Sequence, residues 1–235
     1  MRSVRGTLLS CAVALALAST VNAQNFNIDL STTAGADAPA PGLAYGAAAG
    51  QAGFWNNVTN PAAVNAPLND LLNVATAVTI SLDGGFMGSF TGPNEIATPA
   101  GSDAEKLIDD GWDPTGLTGI ITISGLAAGQ YSVYLYGVAP DSTTDLTEFG
   151  VVGSVEGGVV NVGGALANPF LDTYAVPVTH AIFTKNIVAG ENLIINVGNR
   201  GGAFETVNGI QITPEPGSLG LLAVGALAMI KRRRN

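Results

Sequence analysis

Carboxylates and aromatic rings are the groups in this chain whose types and spacing could do chemistry. The densest acid cluster is Asp109-Asp110-Gly111-Trp112-Asp113. Hard cations gather several carboxylate and backbone carbonyl oxygens, so Asp109, Asp110 and Asp113 read as candidate ligands for Ca²⁺. The spacing departs from an EF-hand loop and no glutamate closes it; a solvated helix end followed by a turn fits the same residues. Asp141-Ser142-Thr143-Thr144-Asp145, with Glu148 beyond, repeats the pattern more weakly, and a turn rich in Asx and hydroxyl side chains accounts for it. Paired carboxylates also serve glycoside hydrolysis when held roughly 5–10 Å apart across a sugar bond. Linear order alone sets no two of these acids across a cleft. Trp55, Trp112, Tyr134 and Tyr136 have faces that stack on sugar rings, and equally the bulk to fill a core. Aromatics make up only 6% of the chain, so few are to spare for binding. His180 is the single histidine, which excludes a multi-histidine metal site, and no Gly-x-Ser-x-Gly turn accompanies it to suggest a serine hydrolase. We therefore expect no catalytic residues, no enzyme, and no cofactor beyond the calcium candidate.

Charge narrows the partners further. Gln24–Thr213 holds 17 acidic and three basic residues, a net charge of −14 against −9 for the full chain. Nucleic acid and anionic headgroups are repelled by such a surface, whereas cations, neutral glycans and other secreted proteins are compatible with it. The lone Cys11 lies inside an N-terminal stretch, Met1–Ala23, with basic Arg2 and Arg5, an apolar run from Ala12 to Ala18 and a Val21-Asn22-Ala23 ending. That is the pattern of a secretory signal peptide cleaved between Ala23 and Gln24 by signal peptidase after Sec export. Leu8-Leu9-Ser10-Cys11 loosely fits a lipoprotein box, but most of the hydrophobic run follows it. Cleavage after Ala23 removes the only cysteine, so the mature protein has no disulfide.

About 190 residues remain to position these groups, enough for one domain with a buried core. Glycine is abundant and charge sparse, which suits short strands and many turns. Asn25–Ser31 alternates Phe26, Ile28 and Leu30 with polar residues and predicts a half-buried opening strand. Residues 32–53 lack periodicity and read as a long surface loop; Asn56–Asn69 reads as turn-rich. Val78, Ile80 and Leu82 form a second strand ended by Asp83-Gly84-Gly85. One helix is expected, Asp103–Asp109, capped by Ser102 with Glu105 three residues on and stopped by Gly111. Beyond it, Ile120–Ser124 and Tyr131–Tyr136 predict an antiparallel pair, as do Phe149–Val155 with Val159–Val162 and Ala181–Val188 with Asn192–Val197. His180 then stands at an edge near a strand start, and Val207–Thr213 closes the domain. About nine strands and one short helix predict an all-β fold, an antiparallel β-sandwich of jelly-roll type.

The C-terminal stretch 214–235 is built differently. Pro214-Glu215-Pro216 breaks any preceding element. An apolar run from Leu219 to Ile230 follows, then Lys231, Arg232, Arg233 and Arg234. As a helix the 12 apolar residues rise only about 18 Å, a marginal span for a ~30 Å hydrocarbon core. The basic cluster acts as a membrane stop and leaves the preceding domain on the far side of the inner membrane. This order resembles the PEP-CTERM protein-sorting signal. The resemblance implies an exosortase that handles the tail at or near Pro214-Glu215-Pro216, a transient anchor in the inner membrane, and delivery to the cell surface, outer envelope or exopolysaccharide matrix. An ordinary C-terminal anchor is the plain alternative. A looser resemblance covers the body. Asn27-Ile28-Asp29, Phe54-Trp55-Asn56, the Ser124-Gly125-Leu126 and Gly129-Gln130-Tyr131 turn leading to Tyr134-Leu135-Tyr136-Gly137, and Val207-Asn208-Gly209-Ile210-Gln211-Ile212 are similar to galactose-binding-like and malectin-like jelly rolls. The three domain segments are thus 1–23, 24–213 and 214–235, and the expected functions are an exported non-enzymatic envelope or matrix protein, a lectin-like module for neutral glycan, or a secreted polysaccharide hydrolase.

Overall fold

Alternating apolar residues along short segments build two stacked sheets. The computed structural model describes residues 24–31, 39–89, 101–109, 111–114, 118–139, 144–164, 174–199 and 205–215. The predicted signal peptide, with Cys11, and the apolar tail lie outside these residues. Among the described residues no helix is long and apolar enough to cross a membrane.

The first sheet contains β1 (Phe26–Asp29), β2 (Trp55–Asn57), β8 (Gly129–Tyr136), β11 (His180–Ile187) and β13 (Gly209–Pro214), in the order β11-β8-β13-β1-β2. The second contains β3 (Ala66–Asn69), β4 (Ala75–Asp83), β7 (Thr118–Ser124), β9 (Leu146–Val151), β10 (Val160–Gly163) and β12 (Leu193–Asn199), in the order β10-β9-β12-β7-β4-β3. A separate ribbon pairs β5 (Phe86–Ser89) with β6 (Gly111–Pro114). Pairing is antiparallel except between β1 and β2. The all-β sandwich is as expected, with thirteen strands among the described residues rather than about nine. The additional strands β2, β3, β5 and β6 are three or four residues long. Segments that short carry no readable alternation.

Helix α1 (Asp103–Ile108) forms where its cap predicts: the Ser102 hydroxyl accepts from the Glu105 N–H at 3.1 Å. The predicted hairpin through residues 156–158 also forms, with Phe149 opposite Val160. Two other pairings do not. β7 pairs with β12 and β4, while β8 pairs with β11 and β13, so the connection at residues 125–128 crosses between the sheets. β11 and β12 likewise lie in different sheets, joined across the sandwich by residues 188–192. An inward-facing apolar stripe looks the same whether the next strand is a sheet neighbour or lies in the opposite layer, since either face must cover the same core.

That core is one apolar cluster between the sheets, including Phe26, Ile28, Val133, Leu135, Phe149, Phe183 and Ile195. A second cluster joins Trp55, Leu107, Ile108, Tyr136 and Val138, with Tyr45, Ala47 and Ala48 packed against it. The described part of the predicted surface loop, residues 39–53, is therefore a cover over the outer face of the first sheet. It makes β1 buried on both faces, not half-buried: Asn27 and Asp29 are as inaccessible as Phe26 and Ile28. Burial of amides demands partners, and Gln51 supplies them. Its Nε2 donates to Asn27 Oδ1 (2.9 Å) and Phe26 O (3.1 Å), while its Oε1 accepts from Thr213 Oγ1 (3.0 Å). Gln211 Nε2 donates to Asn27 Oδ1 (2.8 Å), and its Oε1 accepts from the Ala49 N–H (3.1 Å).

Because β1 and β13 run antiparallel with Phe26 opposite Ile212, the start of the first strand and the end of the last lie side by side. Both ends are fastened near the start of β8: Gln24 Oε1 accepts from the Ala127 N–H (2.7 Å) in the connection before it, and the Glu215 N–H donates to Gln130 O (2.8 Å) on the strand.

Candidate functional site

Strand β13 is the element that delivers the Pro-Glu-Pro motif, and it does so without a linker. Pro214 still pairs with Tyr131 of β8, two residues beyond the last β1 partner, Ile212. Proline has no N–H to lose, and the next donor, Glu215 N–H, reaches Gln130 O. The Ser132 hydroxyl donates to the Glu215 carboxylate. Ser132 is buried on the outer face of β8, the face it shares with Tyr134 and Tyr136, as the alternation of that strand predicts. Thus two residues of the motif are held against β8, Pro214 within the sheet and Glu215 just beyond its end; Pro216 and the basic stop lie outside the described residues.

The acid cluster is not an exposed loop. Asp109 caps the end of α1 and is buried, and Trp112 and Asp113 lie on β6 in extended backbone. Neither the curved calcium loop nor the solvated turn fits these positions. Asp113 is instead hydrogen-bonded to Glu205, whose carboxyl burial pushes up to about 7, with the Asp113 charge adding to the rise. Burial raises Asp113 as well, although hydrogen bonds from Glu205 work against the rise. Burial and mutual repulsion thus favour one proton held by the pair. Asp145, from the second acid-rich stretch, adds its charge to both. A pair in direct contact, 5% and 2% exposed, leaves no space for a glycosidic oxygen between its members. Among the described residues no group of three or more His, Cys, Asp or Glu is arranged to hold a metal ion, and Asp110 lies outside them.

The four aromatic candidates do not share a surface. Trp112 is in the core between the sheets, its Nε1 donating to Val58 O (3.0 Å). Trp55 is in the second cluster, its Nε1 donating to Tyr45 O (3.1 Å). Tyr136 is buried and its hydroxyl accepts from the Ala48 N–H (2.9 Å). Only Tyr134 keeps partial exposure, its ring stacked 5.9 Å from that of His180. His180 begins the edge strand β11, where the sequence places it, but it is buried among Tyr134, Tyr136 and Tyr174, and burial pulls its ring down to about 4.

A concave feature lies elsewhere among the described residues, where the edge strands β2 and β3 meet. A groove of ≈ 470 Å³ is lined by residues including Phe54, Asn57, Thr59, Asn60 and Asn69, with no charged side chain among them. Its wall is fastened by Asn56, which donates to Asn27 O (3.0 Å) and Asn69 O (2.8 Å) and accepts from the Asn69 N–H (2.7 Å).

Comparison with known proteins bears on the first of these sites. The model of the PEP-CTERM protein-sorting motif matches residues 213–234. The chain carries a PEP-CTERM motif. It is accordingly an exported precursor, anchored in the membrane and handled by an exosortase, with an all-β domain ahead of the motif. No curated protein matches the chain. Among solved structures it is similar to the crystal structure of protein YXIM from Bacillus subtilis, at 11% identity and a TM-score of 0.44, over 82% of this chain. The match spans 40% of the length of that protein.

Around the PEP-CTERM motif, sequence reading located Pro214 and Glu215 but missed Ser132, a serine among alternating residues that nothing marks. Glu205 was missed for a similar reason: it stands alone in a glycine-rich stretch, and only the packing of β6 against residue 207 brings it to Asp113. The groove was invisible because its residues come from segments that read as turns.

Proposed function

We propose that this protein is non-enzymatic cargo of the exosortase route, a stable β-sandwich delivered to the cell surface or the exopolysaccharide matrix. The observation that carries the reading is the PEP-CTERM motif fused directly to the last strand. Two features support the absence of catalysis: the Asp113 and Glu205 carboxyls are buried against each other, and the single histidine is walled in by tyrosines. Mass spectrometry of the protein from its native host tests the route. The expected product begins at Gln24 and lacks the apolar tail; cytosolic protein with an intact carboxyl end would overturn it.

A second reading is favoured by the groove between β2 and β3. Its amide and hydroxyl lining beside the Phe54 ring suits neutral sugar, which offers hydroxyls for hydrogen bonding and C–H faces for stacking. An uncharged groove on a strongly acidic domain also selects against anionic ligands. Glycan-array binding by the domain, reduced at least tenfold in Phe54→Ala and unaffected by EDTA, is the expected result. Binding that disappears with EDTA would point to calcium and away from this groove.

A further inference from the structure

We propose that the folded domain masks its own sorting signal: β8 holds Pro214 in the sheet and Glu215 by hydrogen bonds just beyond it, and the processing enzyme gains the motif only when the end of β13 detaches. This rests on the sorting reading above. Three attachments oppose detachment. Pro214 lies in register with Tyr131, the Glu215 N–H is bonded to Gln130 O at 2.8 Å, and the Glu215 carboxylate accepts from Ser132. Beyond Ile212 the strand has lost β1, so the motif is held on one flank only, by β8.

The hold and the processing reaction compete for the same atoms. An enzyme that reads an extended segment takes its backbone donors and acceptors and its side chains. Here the Glu215 N–H and carboxylate are already engaged within the chain. Distance sharpens the conflict. Three residues, Pro216, Gly217 and Ser218, separate Glu215 from the apolar run at Leu219. Fully extended they reach about 10 Å, so a membrane-bound enzyme meets the motif directly against the sandwich. The terminal pairings of a strand open locally without global unfolding, and when such opening is fast, the rate of cutting follows the open fraction. Ser132 is therefore a positioning residue that sets how often the signal is available.

Pulse-chase measurement of tail removal in the native host tests this, using the full-length chain. Ser132→Ala deletes one hydrogen bond to a charged group and should speed removal about tenfold with the melting temperature little changed. A Gly-Gly-Ser-Gly insertion between Thr213 and Pro214 keeps the motif and frees it from β8, and should speed removal at least as much even if Ser132→Ala folds poorly. Glu215→Ala loses both the hold and the signal and should block removal. Equal or slower removal in Ser132→Ala and in the insertion variant overturns the masking alone. A wild-type tail that is never removed, with Glu215→Ala indistinguishable from it, overturns the sorting reading and the masking with it.

Discussion

Two buried titratable sites pull the stability of this domain in opposite directions with pH. Glu205 titrates near 4.5 when unfolded and about 7 when folded, so between those values the native state keeps a proton that the unfolded chain has released. Stability contributed by the Asp113–Glu205 pair is therefore greatest at low pH and declines as pH rises from about 4.5 to about 7. His180 has the opposite sign. Its ordinary value of 6.5 falls to about 4 on folding, so below 6.5 the unfolded chain takes up a proton that the native ring refuses, and stability declines as pH falls. Thermal midpoints measured from pH 4 to pH 8 should separate the two. Glu205→Gln should keep only the acid-side decline, and His180→Gln only the decline on the way up to pH 7. A Glu205→Gln profile that still falls between pH 6.5 and pH 7 would contradict the assignment of that decline to the Asp113–Glu205 pair. Residue types announced little of this. Asp113 was visible as an acid and His180 as the only imidazole, but a carboxyl's partner is set by which strands meet, and Glu205 lies 92 positions from Asp113 along the chain.

Strand-to-strand connections decide the architecture, and Gly125 shows how. It follows β7 with φ +84°, and a side chain built there would meet Ala77 O at 2.7 Å. The positive φ and the closeness of β4 turn the chain out of one sheet and toward the other, where a hairpin would have kept it in the same layer. Gly125→Ala should destabilise the domain by about 1–3 kcal/mol, read as a shift in urea midpoint at unchanged slope. Ser102→Ala should cost about 1 kcal/mol by the same measurement, through the lost cap of α1. The helix, the opening strand and the hairpin of β9 with β10 were legible in the sequence, because cap chemistry and two-residue periodicity act locally. The crossings at residues 125–128 and 188–192 were not. A short glycine-containing link can fold back in plane or step the roughly 10 Å between layers, and only the far partners, β12 for β7 and β13 for β8, decide which. The cover over the first sheet was hidden for another reason: residues 39–53 hold it through single amides such as Gln51, which carry no period.

At the scale of the whole molecule, the last strand is the keystone of the first sheet. β13 lies between β8 and β1, and β1 in turn carries β2. A chain ending at Asn208 should therefore show no cooperative thermal transition, whereas a chain ending at Glu215 should melt like the processed protein; calorimetry distinguishes them. The same arrangement governs the order of events during export. A polypeptide threaded amino end first through a narrow channel presents β1 early and β13 last, so the opening strand waits for nearly the entire length to emerge before it gains its antiparallel neighbour. A ribosome that stops short would yield a product with Asn27 and Asp29 left without that neighbour, easy prey for envelope proteases. Completion of the sandwich thus certifies that the message was read to within a few codons of the sorting signal.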